Sequence, residues 1–78
     1  MMPNSQNIWN EVQSGLRAFI AKRVADQASV EDLSQEIFVR MQRGLGGLKD
    51  QSRLVPWIYQ IARNAIIDHY RARDRQPD

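Results

Sequence analysis

In the first third of the chain the apolar positions fall at Ile8, Val12, Leu16, Phe19, Ile20 and Val24. Intervals of three and four bring them to one side of a helix, so the pattern predicts a first helix over about residues 8–25. Gly15 lies inside it at a cost of about 1 kcal/mol relative to alanine, tolerable where another helix packs closely. Leu33, Ile37, Phe38 and Met41 form a second stripe and predict a helix over about residues 30–43, with Asp32, Gln35, Glu36, Val39, Arg40 and Arg43 outside the stripe. Ser29 is the expected N-cap, with Asp32 reaching back toward it, and Gly44, Gly46 and Gly47 are expected to end the helix.

A polar loop follows, and Ser52 is the expected cap of a long third helix over about residues 53–73, with Pro56 confined to its first turn. The run from Trp57 to Ile67 is too apolar for a narrow stripe, which predicts packing against both other helices. No stretch alternates with period two and no internal repeat is visible. The fold class is therefore all-α, a compact three-helix bundle with Phe19, Leu33, Ile37, Ile58 and Ile61 among its core. Residues 1–6 and 74–78 are expected to fray.

Seventy-eight residues make a single domain over 1–78, since a second core has no material to build it. With 42% hydrophobic and 26% charged residues the chain is too apolar for a disordered tail. Zero cysteines and one histidine exclude a disulfide scaffold and a thiolate zinc site, and no cofactor is expected. The start carries no basic segment leading into an apolar run, and no stretch approaches membrane-spanning length. A cytoplasmic location without membrane contact is the expectation.

The net charge of +2 says little, but its distribution changes the picture. From Asp26 to Glu36 there are acids and no Lys or Arg, whereas the stretch from Lys49 to Arg75 is predominantly basic. One segment suits a basic partner and the other suits phosphates. His69 stands beside Asp68, yet adjacent helical residues point about 100° apart and no nucleophile or metal ligand accompanies them. A half-buried structural histidine is the expected role, Asp68 is expected to pair with Arg71 on the surface, and no phosphate loop or catalytic carboxylate arrangement suggests an enzyme.

Asp32-Leu33-Ser34-Gln35-Glu36-Ile37-Phe38, then Trp57-Ile58-Tyr59-Gln60-Ile61-Ala62-Arg63-Asn64, then Asp68-His69-Tyr70-Arg71 resemble region 2 of the extracytoplasmic-function (ECF) sigma factors. That family carries D-L-x-Q-E-x-F, W-L/I-Y-x-I-A-R-N and I-D-x-x-R. The resemblance covers nearly the whole chain, and Trp9, Phe19 to Arg23 and Leu48-Lys49-Asp50 look most like the sigma-Z subgroup. A complete sigma factor of this kind has a further region 4 helix-turn-helix domain, which is not in this chain.

The resemblance implies that the D-L-x-Q-E helix docks on the β′ clamp helices of core RNA polymerase, through Asp32, Gln35 and Glu36 with Arg40 one turn on. The spacing makes a continuous polar ridge, whose charges would set register and on-rate more than affinity. The same positions also read as a solvated face with acids near the positive end of a helix dipole.

On the third helix, Arg53, Trp57, Gln60, Asn64 and Arg71 fall within about one third of the circumference. Cations for phosphates, an aromatic plate for stacking and amides for base edges are what a fork-junction binder needs. The resemblance implies that Trp57 lies where the minus-10 element opens on the non-template strand and that Asn64 lies near its upstream edge. Arg63, Arg71 and Arg73 would follow the DNA backbone, and Lys49 and Arg53 would hold phosphates beside a loop able to wall in a flipped base. Trp57 is equally suited to filling a three-helix junction. An anti-sigma factor is a further expected partner. A helical protein-interaction module without DNA binding is the alternative, and a helix-turn-helix repressor fits less well because the third helix opens with apolar residues after a long loop.

Overall fold

The computed structural model describes residues 5–75, with the side chain of Arg75 excepted. Three helices follow one another: α1, Ser5–Ala21; α2, Gln27–Gly44; and α3, Leu54–Arg75. Two single 3₁₀ turns, Leu45–Gly47 and Gln51–Arg53, connect α2 to α3. Among the described residues there is no strand, in keeping with the all-α reading. Fraying of residues 1–4 and 76–78 lies outside the described residues, while the helices reach out to Ser5 and Arg75.

The core is shared by all three helices. Leu16 and Ile20 from α1, Ile37 and Met41 from α2, and Ile58 and Ala62 from α3 are wholly buried. Leu33 joins them, whereas Phe19 and Ile61, expected inside, are half-buried and lie against the core. Trp9, absent from the stripe read in the sequence, is buried and meets Phe38 at a ring-centroid distance of 5.2 Å. Its position seven residues before Leu16 places both on one helix face, which is the signal that could have revealed it.

The helix ends differ from the sequence expectation in a consistent way. Asp26, not Ser29, caps α2: its carboxylate accepts from the Ser29 backbone N–H at 2.9 Å and from the Ser29 hydroxyl at 2.8 Å. Asp50, not Ser52, caps the turn before α3, accepting from the Ser52 N–H at 3.0 Å and its hydroxyl at 2.6 Å. In each case two good cap formers lie close together, and the charged acceptor just upstream makes the stronger hydrogen bond to the orphan N–H. The helix or turn therefore starts earlier than a serine cap would allow.

The first helix also ends earlier than the apolar pattern suggests, at Ala21. The N–H groups of Arg23 and Val24 both turn back to the Ile20 carbonyl at 2.9 Å, and Val24 packs into the core from the turn. No glycine has positive φ, so α2 does not end in a left-handed glycine cap. Instead the Leu45 N–H bonds to the Met41 carbonyl and the chain tightens into a 3₁₀ turn.

Two glycines serve close approach. A Cβ on Gly15 would stand 2.7 Å from the Tyr59 hydroxyl oxygen, and one on Gly44 would stand 2.7 Å from Cζ2 of Trp57. Both distances are shorter than real carbon contacts allow, so a bare backbone is needed there for α3 to sit down.

Candidate functional site

Two polar faces point outward from this core, one on α2 and one on α3. On α2, Asp32, Gln35 and Glu36 are exposed while Leu33, Ile37 and Met41, interleaved with them, are buried. The 3.6-residue period separates the two sets without compromise. Arg40 is less available than its neighbours. Its Nε donates to Glu36 Oε1 at 2.9 Å and its Nη2 donates to Asp68 Oδ2 on α3 at 3.1 Å. Hydrogen bonding first to Glu36 and then to Asp68 holds its pKa above the ordinary arginine value.

Asp68 thus pairs across the bundle with Arg40, and not with Arg71 as local spacing suggested. A partner on a neighbouring helix reaches it without unwinding the side chain along its own helix. At the start of α2, Arg17 makes a two-pronged pair with Glu31, whose second contact is 3.1 Å, and Gln27 adds a weak bond at 3.4 Å. The Arg17 hydrogen bond lowers the Glu31 pKa, and the reciprocal bond raises that of Arg17.

On α3, Gln60, Asn64 and Arg71 are exposed along one line, with Arg53 exposed in the turn before it. Gln60 Nε2 donates to Asn64 Oδ1 at 3.3 Å. Trp57 belongs to this line but is half-buried and packs against the core, its six-membered ring over Gly44. The indole therefore both fills the α2–α3 junction and leaves part of its surface toward the strip.

Lys49 is exposed in the connection, and nothing lies within 4 Å of where a Cβ would stand on Gly46 or Gly47. Arg63 and Arg73 stand apart from the strip. The Arg63 guanidinium is 5.9 Å from the Phe19 ring centroid, on the α1 side. Arg73 lies near enough to Asp26 for its charge to help lower that carboxyl's pKa, behind the larger effect of the Ser29 hydrogen bonds.

His69 is half-buried and meets Tyr70 edge-on at 5.6 Å; its buried Nε2 has no hydrogen-bond partner among the described residues. The Tyr70 hydroxyl donates to the Arg23 carbonyl, fastening α3 to the end of α1. Sequence reading missed this tie because the two residues are far apart in the chain. Among the described residues no helix is long and apolar enough to cross a membrane, and no group of three His, Asp or Glu side chains could hold a metal ion.

A family model described as Sigma-70 region 2 matches residues 8–76. The chain belongs to the sigma-70 region 2 family.

Relatives of this sigma region 2 domain include the RNA polymerase sigma factor SigZ of Bacillus subtilis (strain 168), 40% identical over 70 residues, which are 90% of this chain and 40% of that protein. The RNA polymerase sigma-H factor of Pseudomonas aeruginosa is 34% identical over 65 residues, 83% of this chain and 34% of that protein. The ECF RNA polymerase sigma factor SigM of Bacillus subtilis is 32% identical over 69 residues, 88% of this chain and 42% of that protein. The chain spans about two-fifths of the length of these curated relatives. No solved structure matches. Within the sigma region 2 domain, the Asp32 to Phe38 segment lies on α2 and the Trp57 to Asn64 segment on α3, so the two polar faces carry the two motifs.

Proposed function

We propose that this sigma region 2 domain is a non-enzymatic module of transcription initiation that docks on core RNA polymerase and opens the promoter minus-10 element. The α2 face, with Asp32, Gln35 and Glu36, meets the β′ clamp helices, and Arg40 holds Glu36 in place from behind. The α3 strip of Arg53, Trp57, Gln60, Asn64 and Arg71 takes the non-template strand, with Lys49, Arg63 and Arg73 reaching phosphates from its flanks. A cytoplasmic location and control by an anti-sigma factor that covers either face belong to the same reading.

The observation that carries it is a half-buried tryptophan in line with exposed amides and cations on α3. A module built only to bind protein has no need of an aromatic plate set among phosphate-binding groups. The decisive test of docking is the double variant Asp32→Lys, Glu36→Lys against isolated β′ clamp helices. Affinity should fall at least about tenfold, the scale of charge reversal in an interface, while the thermal midpoint stays nearly unchanged because exposed substitutions shift stability by about 0.5 kcal/mol or less. Equal affinity in variant and parent ends the docking claim.

A further inference from the structure

A groove of about 370 Å³ opens between α1 and α2, lined by Trp9, Arg17, Ser34, Gln35, Phe38 and Val39. Its apolar walls include the tilted Trp9–Phe38 pair, whose rings meet at 56°. Val39, at the rim, is 39% exposed, one of the large apolar side chains that the fold leaves in solvent. Ser34 is 2% exposed, and its hydroxyl has no hydrogen-bond partner among the described residues. An open apolar groove and an unpaired buried hydroxyl are both costly to leave as they are, and one occupant would relieve both.

The charges around the groove identify the occupant's chemistry. Arg17 is neutralised by Glu31, so the groove offers no net charge and suits an apolar side chain. Asp32 and Glu36 stand exposed beside it, so the element presenting that side chain should be basic. Asp32, Gln35 and Val39 are three and four residues apart on α2, which puts them in one row. A helix laid along that row to meet the acids passes directly over the groove mouth, and Gln35 belongs to both.

We infer that the α1–α2 groove seats an apolar side chain of the same basic helix that the α2 acids meet, so that α1, through Trp9, is part of the docking surface. The inference rests on the docking reading above and adds an anchor to it. An apolar side chain sunk in a pocket, ringed by charge pairs that set register, is the usual layout of an energetically dominant contact.

Val39→Lys tests the anchor without touching the core, and Val55→Lys, an equally exposed valine on α3, is its control. Against isolated β′ clamp helices, Val39→Lys should weaken binding by about tenfold or more, the scale of a dominant interface residue, and Val55→Lys should bind as the parent does. In the parent chain, the two tryptophans give two indole N–H resonances; that of Trp9 should shift on titration with the clamp helices while that of Trp57 stays. If Val39→Lys binds like the parent, or the Trp9 resonance does not move, while the Asp32→Lys, Glu36→Lys variant still loses binding, the groove is no anchor and the ridge reading stands alone. A parent chain that fails to bind the clamp helices overturns both.

Discussion

The α2 and α3 faces solve the same problem in different ways. On α2 the groups offered to a partner and the groups that hold the fold are different side chains: Asp32, Gln35 and Glu36 are outside, and Leu33, Ile37 and Met41 are inside. On α3 the two duties meet in one residue, because Trp57 packs over Gly44 while belonging to the exposed strip. The α2 acids can therefore be altered with little risk to the fold. Any change at Trp57 disturbs binding and packing together, so its effects have to be separated by measurement.

The largest expected effect breaks the comparison at Trp57. In a holoenzyme carrying the Trp57→Ala change in a full-length sigma factor, the open-complex fraction should fall about tenfold or more, since base stacking is worth about 1 to 3 kcal/mol per base. Closed-complex binding should change less, because stacking on an unpaired base is gained only after opening. Permanganate footprints of unpaired thymines, taken beside a melting curve, separate the two duties. A variant that melts several degrees lower yet opens promoters normally at low temperature assigns the indole to packing alone.

Gly44→Ala sharpens the same point from the other side. Forcing a methyl against the indole costs about 1 to 3 kcal/mol, offset by about 1 kcal/mol of better helix propensity, so a modest net loss in a thermal melt is expected. Gly15→Ala meets only the end of the Tyr59 side chain and should be closer to neutral. If Gly44→Ala melts like the parent, the indole has room to move and its packing duty is small.

Asp26 and Asp50 are held below the ordinary aspartate pKa, chiefly by bonds from Ser29 and Ser52, and Glu31 is held down by Arg17. Groups with lowered folded pKa values contribute fully above the unfolded value, near pH 4, and lose that contribution as pH falls through the folded value. Thermal stability should therefore be level from about pH 7 to pH 5 and decline below about pH 4. Asp26→Ala should lower the midpoint by about 5 °C at pH 7, as expected for a lost cap in a small domain. It should also flatten the acid decline, and an unchanged pH profile would remove Asp26 from the account.

Asp68→Asn is the smallest of these changes. The Arg40 to Asp68 bridge is exposed, and such pairs are worth about 1 kcal/mol or less. Freed from α3, Arg40 keeps Glu36, so clamp affinity should move by less than about threefold. A larger loss, read by calorimetry at low salt, would show that the bridge sets the direction of the α2 face.

Much of this was legible in the sequence. The three helices and the buried Leu33, Ile37 and Ile58 follow from intervals of three and four, because burial on one face leaves that period in the residue order. The two faces follow from the same arithmetic. What the order of residues did not reveal is contact between distant positions: Arg40 with Asp68, Tyr70 with Arg23, Trp57 over Gly44. The caps failed differently. Asp26 and Ser29 are both good N-cap residues, and only the folded geometry shows that the serine supplies the donor and the aspartate the acceptor.

Gly44 and Trp57 are best regarded as one heritable unit. A side chain added at the first forces the ring of the second to move, so drift at either position is constrained by the other even though they lie on different helices. A library randomising the two codons together should return small residues opposite a large ring, or larger residues opposite a smaller ring, and few combinations of two bulky groups. The glycine before the connection, which local reading takes for a helix stop, is on this view a specificity element for the aromatic that follows.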